Sequence, residues 1–229
     1  MRGCARLDYS VRTGKQTPEV VYGKPLFEFF RDNPEPAANF NAAMTSLSMV
    51  ESPAVVDAYD FEGIGSIVDV AGGHGLFLAT ILSRYPRMRG TLYDRADVIE
   101  GAKSGPLVPV MDRCTLASGD MFSSVPAGAD AYIMKYIIHD WPDDQCQKVL
   151  RACRDGVNAG GKLLIVDSVI KPGNALDWGK VLDLEMLMFP GGRERNERQF
   201  TELLASAGWR LNRVIPTESP LSIVEGVPA

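Results

Sequence analysis

The sequence predicts an α/β domain: a mostly parallel sheet with helices on both faces, closed by one antiparallel hairpin. Three observations carry this. Short β-branched or apolar runs alternate with helical stretches from Ser66 onward, and the first run ends in Gly72-Gly73-His74-Gly75, a sharp turn into a helix. The last two runs, residues 210–215 and 221–227, are separated only by the turn Thr217-Glu218-Ser219-Pro220, too short for a parallel crossover. At 229 residues the chain suits one sizeable domain.

Taken in order, residues 1–22 show no clear period and are read as a peripheral arm, leaving 23–229 as the main domain. A lead-in helix over residues 34–50 follows from Phe40, Ala43, Met44 and Leu47 at helical spacing, with Pro34 and Pro36 at its entrance. Strand 66–71 feeds the glycine turn and a helix over 76–85 that stops before Pro86. Then come strand 89–93, a helix near 97–102, and strands 115–118 and 131–135. The next helix starts near Pro142, with Asp143 and Asp144 at its positive end. Its apolar stripe is Cys146, Val149, Leu150, Cys153 and Val157, and Gly160-Gly161 is expected to end it. Strand 162–169 and helices 177–188 and 196–207 complete the alternation. Asn196 and Gln199 stand in capping-box positions, and Gly208 is the stop. The count of strands is seven.

Charge and composition exclude several classes of function. Twenty-four basic against 29 acidic residues give a net charge of −5, which disfavours a general grip on nucleic acid phosphates. No apolar run reaches the ~18 residues of a membrane helix, and residues 1–15 lack a secretory apolar segment. The expected location is cytoplasmic. Cys4, Cys114, Cys146 and Cys153 are scattered without a C-x-x-C, and there are two histidines, so neither a disulfide framework nor a metal site is expected. A small-molecule site remains.

In an open parallel sheet that site lies beyond the carboxyl ends of the strands. After the first strand, Asp69-x-Ala71-x-Gly73-x-Gly75 lets backbone N–H groups approach a ligand at a helix N-terminus; a purely structural tight turn would look the same. Asp94 ends the second strand 19 residues beyond Gly75, the place for a carboxylate that accepts ribose hydroxyls from either NAD or an adenosylmethionine. A dinucleotide fingerprint starting at Gly73 would want glycine at 78, where this chain has Leu78. After the third strand, Asp120 could accept an adenine amino group and Met121 pack on the ring, or the pair could be a cap and a core residue. After the fourth, Lys135-Tyr136-Ile137-Ile138-His139-Asp140-Trp141 places an imidazole over the cleft. With an ordinary pKa of ~6.5 its neutral form can take a proton near neutrality.

Six segments in register resemble the S-adenosylmethionine-dependent O-methyltransferases of the plant caffeic-acid and bacterial polyketide-tailoring type. They are Phe40-Asn41-x-x-Met44, Val68 to Gly75, Gly119-Asp120-Met121-Phe122, His139-Asp140-Trp141, Gly191-Gly192-Arg193-Glu194-Arg195, and Ser222-Ile223-Val224-Glu225. The resemblance implies a Rossmann-like class I methyltransferase fold with a seven-stranded sheet, S-adenosylmethionine as cofactor, no metal, and a small phenolic acceptor. It implies cofactor contacts from Ser48, Asp69, Gly72, Gly73, Gly75, Asp94, Asp120, Met121, Lys135 and Trp141. His139 matches the family's general base, Glu194 and Glu225 the acids that orient it, and Met44 and Met188 the substrate clamps, with Tyr136 also shaping the acceptor pocket. For Glu194 the structural alternative is a solvated charge, and for Glu225 a polar end to an edge strand; Glu185 is a competitor on a presumed helix.

The chain departs from the family pattern in three places. Ala71 replaces a usual glycine, and Arg95-Ala96 follows Asp94 instead of Leu-Pro. The family's N-terminal dimerisation domain is expected to be represented only by its exit segment, near residues 7–14. Two other functions therefore stand beside methyl transfer: a truncated cofactor-binding module, and an NAD-dependent reductase resting on the shared βαβ unit. Members of this scaffold also carry out decarboxylation or hydroxylation-related chemistry. A homodimer formed through a surface other than the family's is a further expectation.

Overall fold

The computed structural model describes residues 6–229. Four helices come first: α1 (Leu7–Thr13), α2 (Pro18–Tyr22), α3 (Leu26–Asp32) and α4 (Pro34–Ala58). Then follow β1 (Ser66–Val70), α5 (Leu76–Arg84), β2 (Arg89–Asp94), α6 (Ala96–Ala102), β3 (Cys114–Ser118), β4 (Ala129–Lys135) and α7 (Asp143–Gly156). The chain ends with β5 (Val157–Asp167), α8 (Trp178–Met188), α9 (Glu197–Ser206), β6 (Trp209–Pro216) and β7 (Ser222–Pro228).

The seven strands form one sheet in the order β3-β2-β1-β4-β5-β7-β6, the seven-stranded sheet that the resemblance implies. β7 is antiparallel to both neighbours, so the closing hairpin inserts its second strand between β5 and β6. The central strands are apolar on both faces because helices cover both. Successive residues serve opposite cores. Ile67, Ile133, Leu164 and Val166 pack with Leu78, Ile81 and Leu82 of α5, whereas Val68, Tyr132, Leu163 and Ile165 pack with Cys146 and Leu150 of α7 and Phe200 and Leu204 of α9.

The capping box of α9 is present: the Asn196 side chain accepts from the Gln199 N–H, and the Gln199 side chain accepts from the Asn196 N–H. Three boundaries differ from the sequence reading. α7 ends at Gly156, not at Gly160-Gly161, because Val157 already pairs with Ala129; the register shift between Ala129 and Ala131 takes up the extra residues, with Gly160 at φ +76°. α4 runs on to Ala58 through Pro53, eight residues beyond the expected end. Residues 7–22 form α1 and α2, although they lack a period of their own. Ser10 and Thr17 are buried and share a hydroxyl hydrogen bond of 3.1 Å, and the Thr17 N–H donates to the Met188 carbonyl of α8. Tertiary contact with α8 orders this segment where local pattern does not. Cys4 lies outside the described residues.

Candidate active site

The carboxyl ends of β1 and β2 build one half of a cleft. Beyond β1 the backbone takes left-handed angles at Ala71 (φ +57°), Gly73 (+62°) and Gly75 (+79°), and Gly75 leads into α5. Glycine adopts such angles freely; Ala71 pays about 1–2 kcal/mol of steric strain for them. Gly72 is required for space, since a Cβ there would overlap the Asp69 carboxylate and Leu92, and one at Gly75 would strike Leu107. Asp94 at the end of β2 accepts the Gly73 N–H (2.8 Å) and the Arg95 N–H (2.7 Å), which locks the turn to the second strand.

Asp69 lies beneath the turn, 1% exposed, and its Oδ2 has no hydrogen-bond partner among the described residues. Burial pushes its carboxyl up to about 7 against the opposing pull of Lys135. Leu78, at the position a dinucleotide loop would give to glycine, is fully buried in α5 and packed toward Gly90.

The other half is assembled at the ends of β4 and β5. The Lys135 side chain is 7% exposed, 3.7 Å from Glu51 Oε2 of α4 and 4.4 Å above the Tyr136 ring. Tyr136 has φ +59°; its hydroxyl donates to Glu51 Oε1 (2.7 Å) and its N–H to Asp167 Oδ1 (3.0 Å). Its ring stacks on His139 at 5.1 Å. His139 lies in a 3₁₀ turn, Ile138–Asp140, with Nδ1 2.6 Å from Glu194 Oε1. Nε2 has no hydrogen bond among the described residues and stands 3.5 Å from Asp140 Oδ1. Burial, reinforced by Asp183 and opposed by Arg195, pushes the Glu194 carboxyl upward. Burial likewise lifts Asp167 to about 7, while the neighbouring imidazole pulls it down.

Glu225 does not join this group. It accepts from Tyr59 (2.5 Å), Asn212 (2.5 Å) and Arg213 (3.1 Å), with Lys162 3.7 Å away. The reason is topological. β7 is antiparallel to β5, so its first residue, Ser222, lies beside Asp167 at the rim, whereas Glu225 lies beside Leu164 inside the sheet. The second carboxylate beside His139 is Asp140, whose Oδ1 stands 3.5 Å from Nε2; the imidazole also acts electrostatically on Asp167 at the end of β5, which the sequence reading missed. Its signal was available: it ends a parallel strand, as Asp94 does.

The remaining expected residues fall into four groups. Asp120 turns its carboxylate back on its own turn, accepting from the Phe122 N–H (3.0 Å) and the Ser123 hydroxyl (2.8 Å). Met121 and Trp141 pack at the edge of the α7 core; Trp141 stacks on Phe27 of α3 at 5.4 Å and meets Phe122 edge-on at 4.8 Å. Ser48 and Met44 are half-buried on α4, in the two turns before Glu51. Met188 is buried at the end of α8, five residues after Asp183, whose carboxylate accepts the Glu194 N–H (2.8 Å).

The donor set of the first half fits a sulfonium nucleoside. It offers a glycine-walled backbone turn, an unpartnered buried carboxylate oxygen at Asp69, and a strand-end carboxylate at Asp94. Among the described residues there is no group of three His, Cys, Asp or Glu side chains arranged to hold a metal ion, and no helix is long and apolar enough to cross a membrane.

Comparison with known proteins agrees with this geometry. The O-methyltransferase domain family profile matches residues 5–210. The phenazine O-methyltransferase PhzM of Lysobacter antibioticus is 40% identical over 228 residues, covering 99% of this chain and 67% of that protein. The mitomycin biosynthesis 6-O-methyltransferase of Streptomyces lavendulae is 36% identical over 228 residues, 98% of this chain and 64% of its own length. The chain thus spans about two thirds of the length of the curated relatives it matches. Among solved structures, LaPhzM superposes with a TM-score of 0.96 at 39% identity, over 100% of this chain and 69% of that one. NcsB1, from neocarzinostatin biosynthesis, was solved with S-adenosylmethionine and 2-hydroxy-5-methyl naphthoic acid; it gives 0.90 at 30% identity, over 99% of this chain and 68% of its own. By sequence profile, by fold and by relatives of both bacterial and plant origin, this chain belongs to the O-methyltransferase domain family.

Proposed function

We propose that this chain transfers a methyl group from S-adenosylmethionine to a phenolic hydroxyl of a small aromatic molecule, with His139 as general base. The observation that carries the proposal is the orientation of His139: Nδ1 is held by Glu194 at 2.6 Å, and Nε2 is left without a hydrogen bond beside the strand ends. When bound, S-adenosylmethionine supplies a methyl carbon already activated by its sulfonium.

What the protein adds is alignment and a proton acceptor. Gly72, Gly73 and Gly75 let the turn close around the donor, and Asp94 offers its carboxylate to ribose hydroxyls. Asp69, Lys135 and Ser48 would line the rest of the donor site, with Met121 and Trp141 at its aromatic edge. Met44, Tyr136 and Met188 are the proposed acceptor contacts. A phenol, with a pKa of ~10, is scarcely ionised near neutrality. Its proton passes to His139 Nε2 as the oxygen attacks, and Glu194 at Nδ1 fixes the tautomer and stabilises the imidazolium. Asp140, with Oδ1 3.5 Å from Nε2, rather than Glu225, supplies the second carboxylate.

The test is incubation with methyl-labelled donor and a panel of phenols, alongside thermal melting with adenosylhomocysteine or NADH. The expected result is label on at least one phenol and a rise in the melting midpoint with adenosylhomocysteine alone. Stabilisation by NADH alone would replace the reading with a reductase. Donor binding with no transfer to any phenol would replace it with a binding module.

A further inference from the structure

We infer that Arg195 is a positioning residue for His139: its guanidinium braces the turn that carries the imidazole, and its charge, acting through Glu194, fixes which ring nitrogen holds the proton. The inference rests on the general-base reading above and extends it to a side chain that touches neither donor nor acceptor.

Arg195 is 1% exposed, an unusual place for a guanidinium. It is satisfied there by the backbone on either side of His139. Nη1 donates to the Ile138 carbonyl (2.8 Å) and Nη2 to the Trp141 carbonyl (3.0 Å), while Asp143 Oδ1, at the start of α7, accepts from Nη2 (2.7 Å) and Nε (3.2 Å). The planar fork spans the turn as a lysine ammonium could not.

The same short segment completes the grip. The Arg193 N–H donates to the His139 carbonyl at 2.8 Å, and Gly192 is pressed so closely on that carbonyl that a Cβ would overlap it. Glu194 takes the imidazole itself. The segment is anchored in turn to the exit of β5, where Val169 bridges Arg195 and the Ile170 N–H donates to the Arg195 carbonyl (3.0 Å).

The electrostatic part follows from what surrounds the dyad. Asp183 of α8, Asp167 of β5, Asp140 of the same turn and, through Tyr136, Glu51 of α4 all place negative charge or carboxyl groups around it. Arg195 opposes the resulting tendency of Glu194 to protonate. If Glu194 held the proton, it would donate to Nδ1, the ring proton would sit on Nε2, and the base would face the acceptor with a donor. An ionised Glu194 accepts from Nδ1–H and leaves Nε2 free.

The experiment uses Arg195→Met, which removes charge and fork, and Arg195→Lys, which keeps the charge alone. Turnover is measured against pH at saturating donor with the best phenol of the panel. The His139 tautomer is read from nitrogen-15 NMR, where the two imidazoles are assigned by the spectrum of H139N. For Arg195→Met we expect turnover about tenfold or more below wild type at pH 7, partial recovery at pH 9, and an appreciable Nε2–H population. For Arg195→Lys we expect a loss of turnover without movement of the acid limb and with the wild-type tautomer. A purely structural residue would lower the melting midpoint and leave both limb and tautomer in place; that outcome overturns the inference. Should Arg195→Met not fold, Arg195→Lys decides, and turnover within about twofold of wild type overturns the bracing role. If wild type methylates no phenol, the proposed function fails, whereas the tautomer measurement still judges Arg195.

Discussion

The two halves of the cleft are built in opposite ways. The half at β1 and β2 is largely backbone: a turn of four residues, shaped by absent side chains, tied to the next strand by one carboxylate. The half at β4 and β5 is largely side chain, gathered from α4, β4, β5, α8 and the segment after α8, and its central contact joins residues 55 apart in sequence. A nucleoside site can be written into a short local motif. A base with its supporting acids needs the tertiary fold to exist first, so its members are separable from donor binding.

That separation can be broken or sharpened by substitution. The largest expected effect after loss of the base itself is on Asp94. Asp94→Ala removes the proposed ribose acceptor and frees the Gly73 N–H, and we expect adenosylhomocysteine affinity to fall by about 10- to 100-fold, from one or two charged hydrogen bonds. Turnover at saturating donor should stay within a few-fold of wild type. Equal losses in both quantities, seen by calorimetric titration and methyl transfer, would merge the two halves.

Glu225→Gln should mark the boundary of the second half from outside. Turnover is expected to stay within about twofold of wild type, because Glu225 is bonded to Tyr59, Asn212 and Arg213 and not to His139. Stability is expected to fall. Burial works against the Glu225 charge, but hydrogen bonds from Arg213, Tyr59 and Asn212 hold its carboxyl at about 2, below the ordinary 4.5. A carboxyl depressed on folding stabilises above its unfolded value and loses that contribution as pH falls from about 4.5 through about 2. Urea titration should therefore show the variant ~1–2 kcal/mol weaker at pH 7, after allowance for the exposed Arg213, with the gap closing below pH ~3. A gap that does not change with pH would assign the effect to packing.

Ala71→Gly is the smallest. Relief of ~1–2 kcal/mol of left-handed strain, set against ~0.4–1 kcal/mol of extra glycine chain entropy, gives a gain of up to about 1.6 kcal/mol by urea denaturation. Destabilisation would show that the methyl group packs productively in the turn.

The same division explains how much could be read from sequence. The seven strands, the glycine turn and the α9 capping box are local signals, and all are found in place. The family motif that ends in Glu225 implies a place beside the base, but the antiparallel direction of β7 carries it away from the rim. Asp167 shares the strand-end position of Asp94, which assigns it to the cleft rim, and the pairing of β4 with β5 then brings it toward the turn that carries His139. Asp120 carried equal support for two roles, and its hydrogen bonds show it capping its turn. The helices before Leu26 depend on contacts with α8, and the extension of α4 on packing against α5, which no local period reports.

The central claim is that donor binding does not depend on the imidazole that removes the proton, and the direct measurement pairs adenosylhomocysteine affinity with donor-saturated turnover in His139→Ala. The expected result is affinity within about twofold of wild type and turnover reduced by ~10²- to 10⁴-fold. Turnover within tenfold of wild type, or affinity lost together with turnover, would contradict it.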